Sequence, residues 1–227
     1  FDCMIGSSAG QRQAVAQATH PCHNRSAFGA TLSDQPLMQN VLADLIIENE
    51  AALAYTMRVA RAMDNQNNEQ ERLLARLATP VGKYWICKRT PNHAYEAMEC
   101  IGGSGVMEDC IMPRLFRESP VNAIWEGSGN VQCLDTLRAL QKEPETLDAF
   151  FKEAAEAKGT DSRFDQYLAQ LQHDFADISD FQYRARNLVD RMALTMQGSL
   201  LLRFGDKHVA DAFCASRLQS GGGMNYG

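Results

Sequence analysis

The chain has 227 residues, of which 45% are hydrophobic, 22% charged and 8% aromatic. This composition excludes a disordered chain and a coiled-coil rod, and the length suffices for one large domain with an extension. The net charge of −6, from 22 basic and 28 acidic residues, argues against a uniformly basic nucleic-acid-binding protein but leaves room for a local basic patch.

Helical periodicity dominates the first part of the chain, because apolar residues recur there at steps of three and four. A start signal at residues 33–36 and a polar run at 64–68 delimit one long amphipathic helix. Bends are expected near Pro80 and Pro91, since proline lacks the amide donor. The four predicted helices cover residues 5–24, 36–64, 69–101 and 127–140.

After Lys142 the composition changes to shorter helical segments, predicted at 145–157, 161–176, 179–204 and 206–219. No stretch shows sustained two-residue alternation, so we expect no sheet. The predicted fold is all-α: an up-down four-helix bundle over residues 1–142, a helical extension over 143–219 and a flexible Gly-rich tail over 220–227.

The seven cysteines are an odd, scattered set without a Cys-x-x-Cys pair, which predicts reduced thiols in a cytoplasmic protein. The apolar runs are too short to span a membrane. His20 and His23 stand three residues apart, but no acidic or cysteine partner completes a ligand set, so we predict a surface pair and no metal site. Because the chain opens at Phe1 on helix-compatible sequence, we expect it to be a fragment of a longer polypeptide.

The segment from Ile124 to Asn130, Ile-Trp-Glu-Gly-Ser-Gly-Asn, places a carboxylate between an aromatic residue and glycines at the start of a helix. In an apolar pocket, burial would raise the pKa of Glu126 and suit it to proton abstraction. The alternative is that the segment only starts the helix, with Ser128 or Asn130 as the N-cap. Residue types alone favour this second interpretation.

Two further features resemble phosphate-binding elements but have ordinary structural explanations. The glycines of residues 102–105 allow backbone amides to approach a phosphate, yet they follow a helix instead of a strand and equally suit a helix C-cap. Arg25, before the turn at Gly29, can pair with a phosphate or complement the dipole of the helix that it ends. Ser104 and Ser128 do not lie in a Gly-x-Ser-x-Gly motif, so serine hydrolysis is not supported.

Four motifs in one order resemble the C-terminal domain of flavin-dependent acyl-CoA dehydrogenases. They are Arg-x-x-Phe-Gly at 25–29, Gly-Gly-x-Gly at 102–105, Arg-Glu-x-Pro at 117–120 and Ile-Trp-Glu-Gly-Ser at 124–128. Over residues 120–138 the chain is similar to the AidB branch of that family, the DNA alkylation response proteins. The resemblance is clear over residues 1–142 and continues more faintly beyond.

The resemblance implies a bundle that packs with an N-terminal helical domain and a middle β domain around FAD, in a homotetramer whose flavin sites are shared between subunits. The full-length protein would oxidise an acyl-CoA to an enoyl-CoA, with Glu126 removing the α-proton while the β-hydride passes to the flavin. The isolated chain is expected to be inactive. One subgroup of the family carries its base on the first helix of this domain, and this chain begins too late to show that position.

The resemblance also implies roles for individual residues. Arg25 matches the pyrophosphate ligand, and Gly103 matches the turn that touches a neighbouring subunit's cofactor. Trp125 and Gly127 match positions at the substrate. The remaining matches are Phe28, Leu32 and Gln35 near the adenosine, Glu99 near the dinucleotide, and Ser128 and Asn130 after the base.

Three of these positions depart from the usual family pattern. Glu99 stands where most members have Gln, Trp125 where most have Tyr, and Ser128 where most have Thr. A negative charge at Glu99 would be unfavourable near a dinucleotide unless it is paired or bonds an amine or hydroxyl. Trp125 is expected to narrow or reshape the acyl pocket.

The alternative function is that of a DNA-binding flavoprotein of the alkylation response, with little or no dehydrogenase role. Arg138, Arg184 and Arg186 are the basic residues expected to contact duplex phosphates. Against this, residues 180–219 carry six basic and four acidic residues, an excess of only two positive charges that also suits an ordinary solvated surface. A third interpretation is a domain that serves only oligomerisation.

Overall fold

The computed structural model of the chain describes residues 1–177, 179–219 and 225–226, which are mostly helical and confirm the predicted all-α class. The helices, in chain order, are α1 (Asp2–Asn24), α2 (Pro36–Asp64), α3 (Glu69–Gly82), α4 (Lys88–Ile101), α5 (Met112–Glu118), α6 (Gly129–Lys142), α7 (Glu145–Ala155), α8 (Ser162–Asp174), α9 (Phe181–Phe204) and α10 (Lys207–Phe213).

The four-helix bundle consists of α1, α2, the continuous stretch of α3 and α4, and α6. α2 begins at the predicted proline, whose missing amide is not needed in the first helical turn. α3 begins after Asn68, whose side chain accepts from the Glu71 amide at 3.3 Å. The Tyr55 hydroxyl donates to the Ala78 carbonyl at 3.0 Å and so joins α2 to α3 inside the core.

Between α3 and α4 the helix widens into a π-helical turn, Lys83–Cys87, without a break in the chain's path. Pro80 and Pro91 both lie inside helices, and the irregular turn falls between them. At Gly82, just before the turn, an added Cβ would lie 2.5 Å from the Tyr55 ring and 2.6 Å from the Met4 methyl. The C-terminal end of α3 therefore packs closely against α1 and α2, and the next residue, Lys83, is buried.

A small β-hairpin follows α1 at a place where no sheet was predicted. β1 (Ser26–Ala27) pairs with β2 (Ala30–Thr31), and the connecting residues Phe28 and Gly29 both have positive φ angles, of 54° and 83°. Two consecutive positive φ angles are typical of the tight type I′ turn. With only two residues in each strand, this hairpin has no alternating pattern long enough to be predicted.

The extension matches the predicted helical segments to within a few residues: α7, α8, α9, and α10 followed by a π-helical turn, Cys214–Leu218. It is not packed as a separate body. Phe150 of α7 and Leu188 of α9 belong to the same hydrophobic cluster as Met4, Leu74 and Leu137 of the bundle. The bundle and the extension therefore share one core.

The last described residue of the predicted tail, Tyr226, lies against the bundle. The Tyr226 ring contacts the His93 ring edge-on, with centroids 5.7 Å apart, and the Arg89 guanidinium lies 4.8 Å from the Tyr226 ring centre. Residues 220–224 and 227 lie outside the described residues. Within the part of the chain that the structure describes, no helix is both long and apolar enough to cross a bilayer.

Candidate functional site

The predicted base, Glu126, lies in a short loop between a 3₁₀ turn, Val121–Ala123, and the start of α6. Its φ angle is 53°, a left-handed conformation that non-glycine residues rarely adopt, and that of Gly127 is 102°. Ser128 occupies the N-cap position of α6, as the alternative interpretation predicted, but its side chain makes no capping hydrogen bond. The loop conformation is therefore held by other contacts.

Two buried side chains bind the backbone of this loop. The Lys83 ammonium donates to the carbonyl oxygens of Trp125 at 2.7 Å and Gly127 at 2.6 Å. The Gln132 amide donates to the carbonyl oxygens of Glu126 at 3.1 Å and Gly127 at 3.0 Å. Three consecutive carbonyl groups are thus hydrogen-bonded, and neither Lys83 nor Gln132 was identified from the sequence.

The Glu126 carboxylate has one thiol partner. The Cys3 thiol, on the first turn of α1, donates to Glu126 Oε2 at 3.3 Å. Burial, followed by the hydrogen bond to Glu126, raises the pKa of the Cys3 thiol, so the sulfur carries its proton near neutral pH and acts as the donor. The carboxylate is therefore oriented from beneath by α1.

The described residues do not form an apolar pocket around the Glu126 carboxylate. The Glu126 side chain is exposed, and so is Trp125, whose indole N–H donates to Asn122 Oδ1 at 3.2 Å.

A second group of predicted site residues lies at the opposite end of α1. Arg25 follows α1 directly, and its Nη1 donates to the carbonyl oxygen of Ile101, the last residue of α4, at 3.1 Å. The guanidinium therefore binds the C-terminal carbonyl of a neighbouring helix. The same Nη1 lies 3.1 Å from where a Cβ at Gly102 would stand, so glycine allows this close approach. Arg25 and the glycine turn, separate in sequence, are adjacent in the structure.

The other predicted residues of this group surround the hairpin and the glycine turn. Phe28 projects from the hairpin with 98% of its surface exposed, and Gln35 supports the hairpin by donating to the Ala27 carbonyl at 3.1 Å. Gly103 is exposed, and a Cβ there would meet nothing within 4 Å. Leu32 packs partly against the core, so in this chain it is a packing residue.

Glu99, the first unusual residue, is exposed near the end of α4. Its negative charge, after burial, helps to raise the pKa of Glu96 on the same helix. No ion pair to Glu99 is formed by the described residues. The pairing that would make this charge favourable near a dinucleotide is therefore not supplied within the described chain.

The length of α1 separates the two groups. From Cys3 to Arg25 the helix rises about 33 Å, at 1.5 Å per residue. The Glu126 loop and the Arg25–glycine turn therefore lie at opposite ends of α1.

The three arginines predicted to contact DNA are not gathered into a free basic cluster. Arg184 donates to the Asp177 carbonyl, and Arg186 donates to Asn130 Oδ1 at 3.0 Å. Arg138 lies 3.8 Å from Asp135 and is largely exposed. The side chain of Asn130, predicted as a cofactor position, is thereby engaged by Arg186.

One surface pocket of the described residues contains none of the predicted site residues. The pocket lies between α6 and α9 and is lined in part by Leu137 and Tyr183. His20 and His23 are exposed, and the His23 ring nitrogen Nδ1 lies within hydrogen-bond distance of the Thr19 carbonyl oxygen in α1, at 2.9 Å. Within residues 1–177, 179–219 and 225–226, no group of three or more His, Cys, Asp or Glu could hold a metal ion. All seven cysteines are free thiols in the structure.

Comparison with known proteins decides the family. The sequence model of the protein family "Acyl-CoA dehydrogenase, C-terminal domain" matches residues 2–141. The chain belongs to the acyl-CoA dehydrogenase family. It is 39% identical to AidB of Escherichia coli over 224 residues, which are 99% of this chain and 41% of AidB. It is 29% identical to acyl-CoA dehydrogenase family member 11 of Caenorhabditis elegans, covering 96% of this chain and 35% of that protein.

The architecture agrees with the same family over the bundle and the extension. The crystal structure of Caenorhabditis elegans ACDH-11 in complex with C11-CoA is similar with a TM-score of 0.85 at 28% identity, covering 95% of this chain and 41% of that one. An acyl-CoA dehydrogenase complexed with FAD from Bacillus anthracis shares the fold, with a TM-score of 0.67 at 17% identity. The chain spans less than half the length of these relatives.

Proposed function

We propose that the chain is the C-terminal domain of an FAD-dependent acyl-CoA dehydrogenase, which forms an α,β-double bond in an acyl-CoA thioester with Glu126 as the base. The observation that carries the proposal is the Glu126 loop: an exposed carboxylate on a backbone fixed by two buried side chains. The family membership supplies the reaction class. Because only part of the relatives' length is covered, the activity belongs to the whole protein.

The residues of the loop would hold and accept the proton. The Glu126 carboxylate takes the α-proton of the thioester, and the Cys3 thiol donates to one of its oxygens, leaving the other oxygen to face the substrate. The exposed Trp125 would lie against the acyl chain from the same loop. FAD, when bound, would accept the β-hydride.

Arg25 and the glycine turn fit the dinucleotide part of that cofactor. The Arg25 guanidinium is exposed, held at one nitrogen by Ile101, and stands beside a turn in which Gly102 has a φ angle of 79°. A cation next to backbone amides without side chains suits a pyrophosphate. Phe28 and Gln35 would complete this site from the hairpin.

We further propose that the protein is a homo-oligomer, expected to be a tetramer, in which each cofactor is held by two copies. The support is the separation of about 33 Å between the base loop and Arg25 along α1. A flavin whose reactive ring lies near Glu126 of one copy would then be contacted by Arg25 and Phe28 of another copy. The 98% exposure of Phe28 in the single chain agrees with such a contact.

The test is the replacement of Glu126 by Gln in the full-length protein. The variant keeps the size of the side chain and removes the basic oxygen. Bound FAD is expected to remain visible by its absorbance, while its reduction by short, medium and long saturated acyl-CoA thioesters slows by about 10²–10⁴-fold, the usual effect of losing a general base. Anaerobic stopped-flow absorbance measures the rate.

Glu156→Gln is the matched control, because Glu156 is an exposed glutamate of the extension and should leave the rate unchanged. An unchanged rate in Glu126→Gln would remove this residue from the mechanism. If no acyl-CoA of any length reduces the flavin of the unaltered protein, the dehydrogenase function itself is wrong.

Duplex DNA is not part of this proposal. Arg184 and Arg186 already donate to groups of the chain itself, and Arg138 lies beside a carboxylate, so the arrangement offers no cluster for adjacent phosphates. The DNA-binding role stays a prediction from the sequence. Titration of duplex DNA at low salt tests it, because phosphate contacts make affinity fall as salt rises.

A further inference from the structure

Lys83 is a buried lysine in an unusual position. It is the first residue of the π-helical turn between α3 and α4, and only 5% of its surface is exposed. Lysine is rarely buried unless its charge finds partners, because removing an ammonium from water is unfavourable. π-helical turns inside α-helices occur frequently at functional sites.

The partners of this ammonium are backbone oxygens on both sides of one residue. Its two hydrogen bonds, of 2.7 and 2.6 Å, reach the carbonyls of Trp125 and Gly127, which flank Glu126. Lys83 forms no ion pair with the described carboxylates. Its hydrogen bonds therefore act on the loop that carries Glu126.

The loop needs such support because its backbone is strained. The left-handed φ of 53° at Glu126 is unfavourable for a residue with a Cβ and persists only where surrounding contacts impose it. Gln132 binds the loop from α6, and Lys83 binds it from the turn after α3. Without Lys83, the carbonyls of Trp125 and Gly127 lose a charged donor, and the hydrogen bonds from Gln132 are left to hold the loop.

We infer that Lys83 is a positioning residue for Glu126: its ammonium holds the two peptide groups around the base and so fixes the direction in which the carboxylate leaves the loop. The inference rests on the proposed function. It predicts that Lys83 acts on the chemical step and not on the binding of acyl-CoA or FAD, since the ammonium is buried beneath the loop.

The experiment replaces Lys83 by Met in the full-length FAD-containing protein. Met fills a similar volume without a donor. The rate of flavin reduction at saturating acyl-CoA is expected to fall by about 10–100-fold, the usual effect of displacing a catalytic group by up to 1 Å. The acyl-CoA dissociation constant, read from the flavin spectrum, should change by less than about threefold. FAD content and melting temperature are measured on the same samples.

Three further variants complete the test. Lys83→Arg keeps a cationic donor and should recover part of the rate. Lys83→Gln keeps one donor group and serves in place of Met if the Met variant does not fold. Lys152→Met removes an exposed lysine of α7 and should behave like the unaltered protein.

The inference is overturned if Lys83→Met, or Lys83→Gln in its place, reduces flavin at the unaltered rate. It is also overturned if the loss of rate is matched by an equal fractional loss of FAD, because Lys83 would then be only a structural residue. Glu126→Gln separates the two proposals. If that variant is still fully active, the proposed function fails; if it is inactive while Lys83→Met, or Lys83→Gln in its place, is fully active, only this inference fails.

Discussion

Two buried cations of the chain, Arg58 and Lys83, find their partners in different ways. Arg58, on α2, donates to both oxygens of Glu71 on α3 and of Glu153 on α7, at 2.7–3.0 Å. Lys83 donates to backbone carbonyls only. Arg58 therefore joins three helices through ion pairs, whereas Lys83 binds the backbone of a single loop. We expect the buried charge of Arg58 to stabilise the fold and that of Lys83 to hold the conformation of the Glu126 loop.

The Arg58 cluster lies where the bundle meets the extension. Arg203 of α9 also donates to Glu153 Oε1, at 2.7 Å. Burial acts to raise the pKa of Glu153, but the hydrogen bonds from Arg58 and Arg203 outweigh it and hold that pKa below its usual range. Glu153 therefore remains charged between two arginines, and the cluster links α2, α3, α7 and α9.

The largest loss of unfolding free energy is expected when Arg58 is replaced. Arg58→Met leaves Glu71 and Glu153 in a nearly buried position without their shared partner, and breaking a buried ion pair in this way lowers the free energy of unfolding by about 3–5 kcal/mol. Urea unfolding of the 227-residue chain at pH 7 measures the change. Arg12→Met is the control, because the Arg12–Glu50 pair is exposed and should contribute less than about 1 kcal/mol. Equal losses in both variants would show that burial does not distinguish these pairs.

A smaller effect, with a pH signature, is expected at Glu153. Because its folded pKa lies below the unfolded value of about 4.3, its contribution is present above that pH and is lost as the pH falls through the folded pKa. Glu153→Gln should lower the free energy of unfolding by about 1.5–3 kcal/mol at pH 7. The difference from the unaltered chain should shrink when unfolding is measured near pH 3. A difference that stays constant with pH would mean that the charge of Glu153 is not what stabilises the junction.

The smallest effect on stability is expected in the loop above Lys83. Gly127→Ala forces a residue with a Cβ to a φ of 102°, and that Cβ would lie 2.6 Å from Gln132 Nε2. We expect a loss of about 1–2 kcal/mol in unfolding free energy together with slower flavin reduction in the full-length protein. Gly10→Ala is the control, because a Cβ there meets nothing within 4 Å in the middle of α1. This control should gain about 0.5–1 kcal/mol. A full rate in Gly127→Ala would show that the loop tolerates displacement.

The helices could be predicted from the sequence because their apolar residues repeat at helical spacing. α1 and α2 begin and end within a few residues of the expected positions. The hairpin at Phe28 and the short helix α5 were missed, since neither is long enough to show a period. The π-helical turn was missed because a single widened turn of five residues is too short to show a period of its own.

The residues of the candidate site could be predicted only where they belong to a recognisable motif. Glu126 and Arg25 were singled out by their motifs, whereas the contact between Arg25 and the end of α4, beside the glycine turn, was not predicted. Lys83 could not be found, because a lone lysine in a helix usually lies in water. A signal in the sequence is that Lys83 stands inside an otherwise apolar stretch, residues 80–87. The environment of the Glu126 carboxylate depends on contacts far apart in sequence, such as that with Cys3.

α1 fixes the distance and the rotation between the Glu126 loop at one end of the domain and the Arg25–glycine turn at the other. One residue inserted in its middle would lengthen it by 1.5 Å and turn everything beyond it by about 100°. The buried side chains Ala14, Ala18 and Cys22 would rotate out of the core, or Cys3 would turn away from beneath Glu126. Substitutions on the exposed face of α1 should therefore be tolerated far more readily than any insertion or deletion within it.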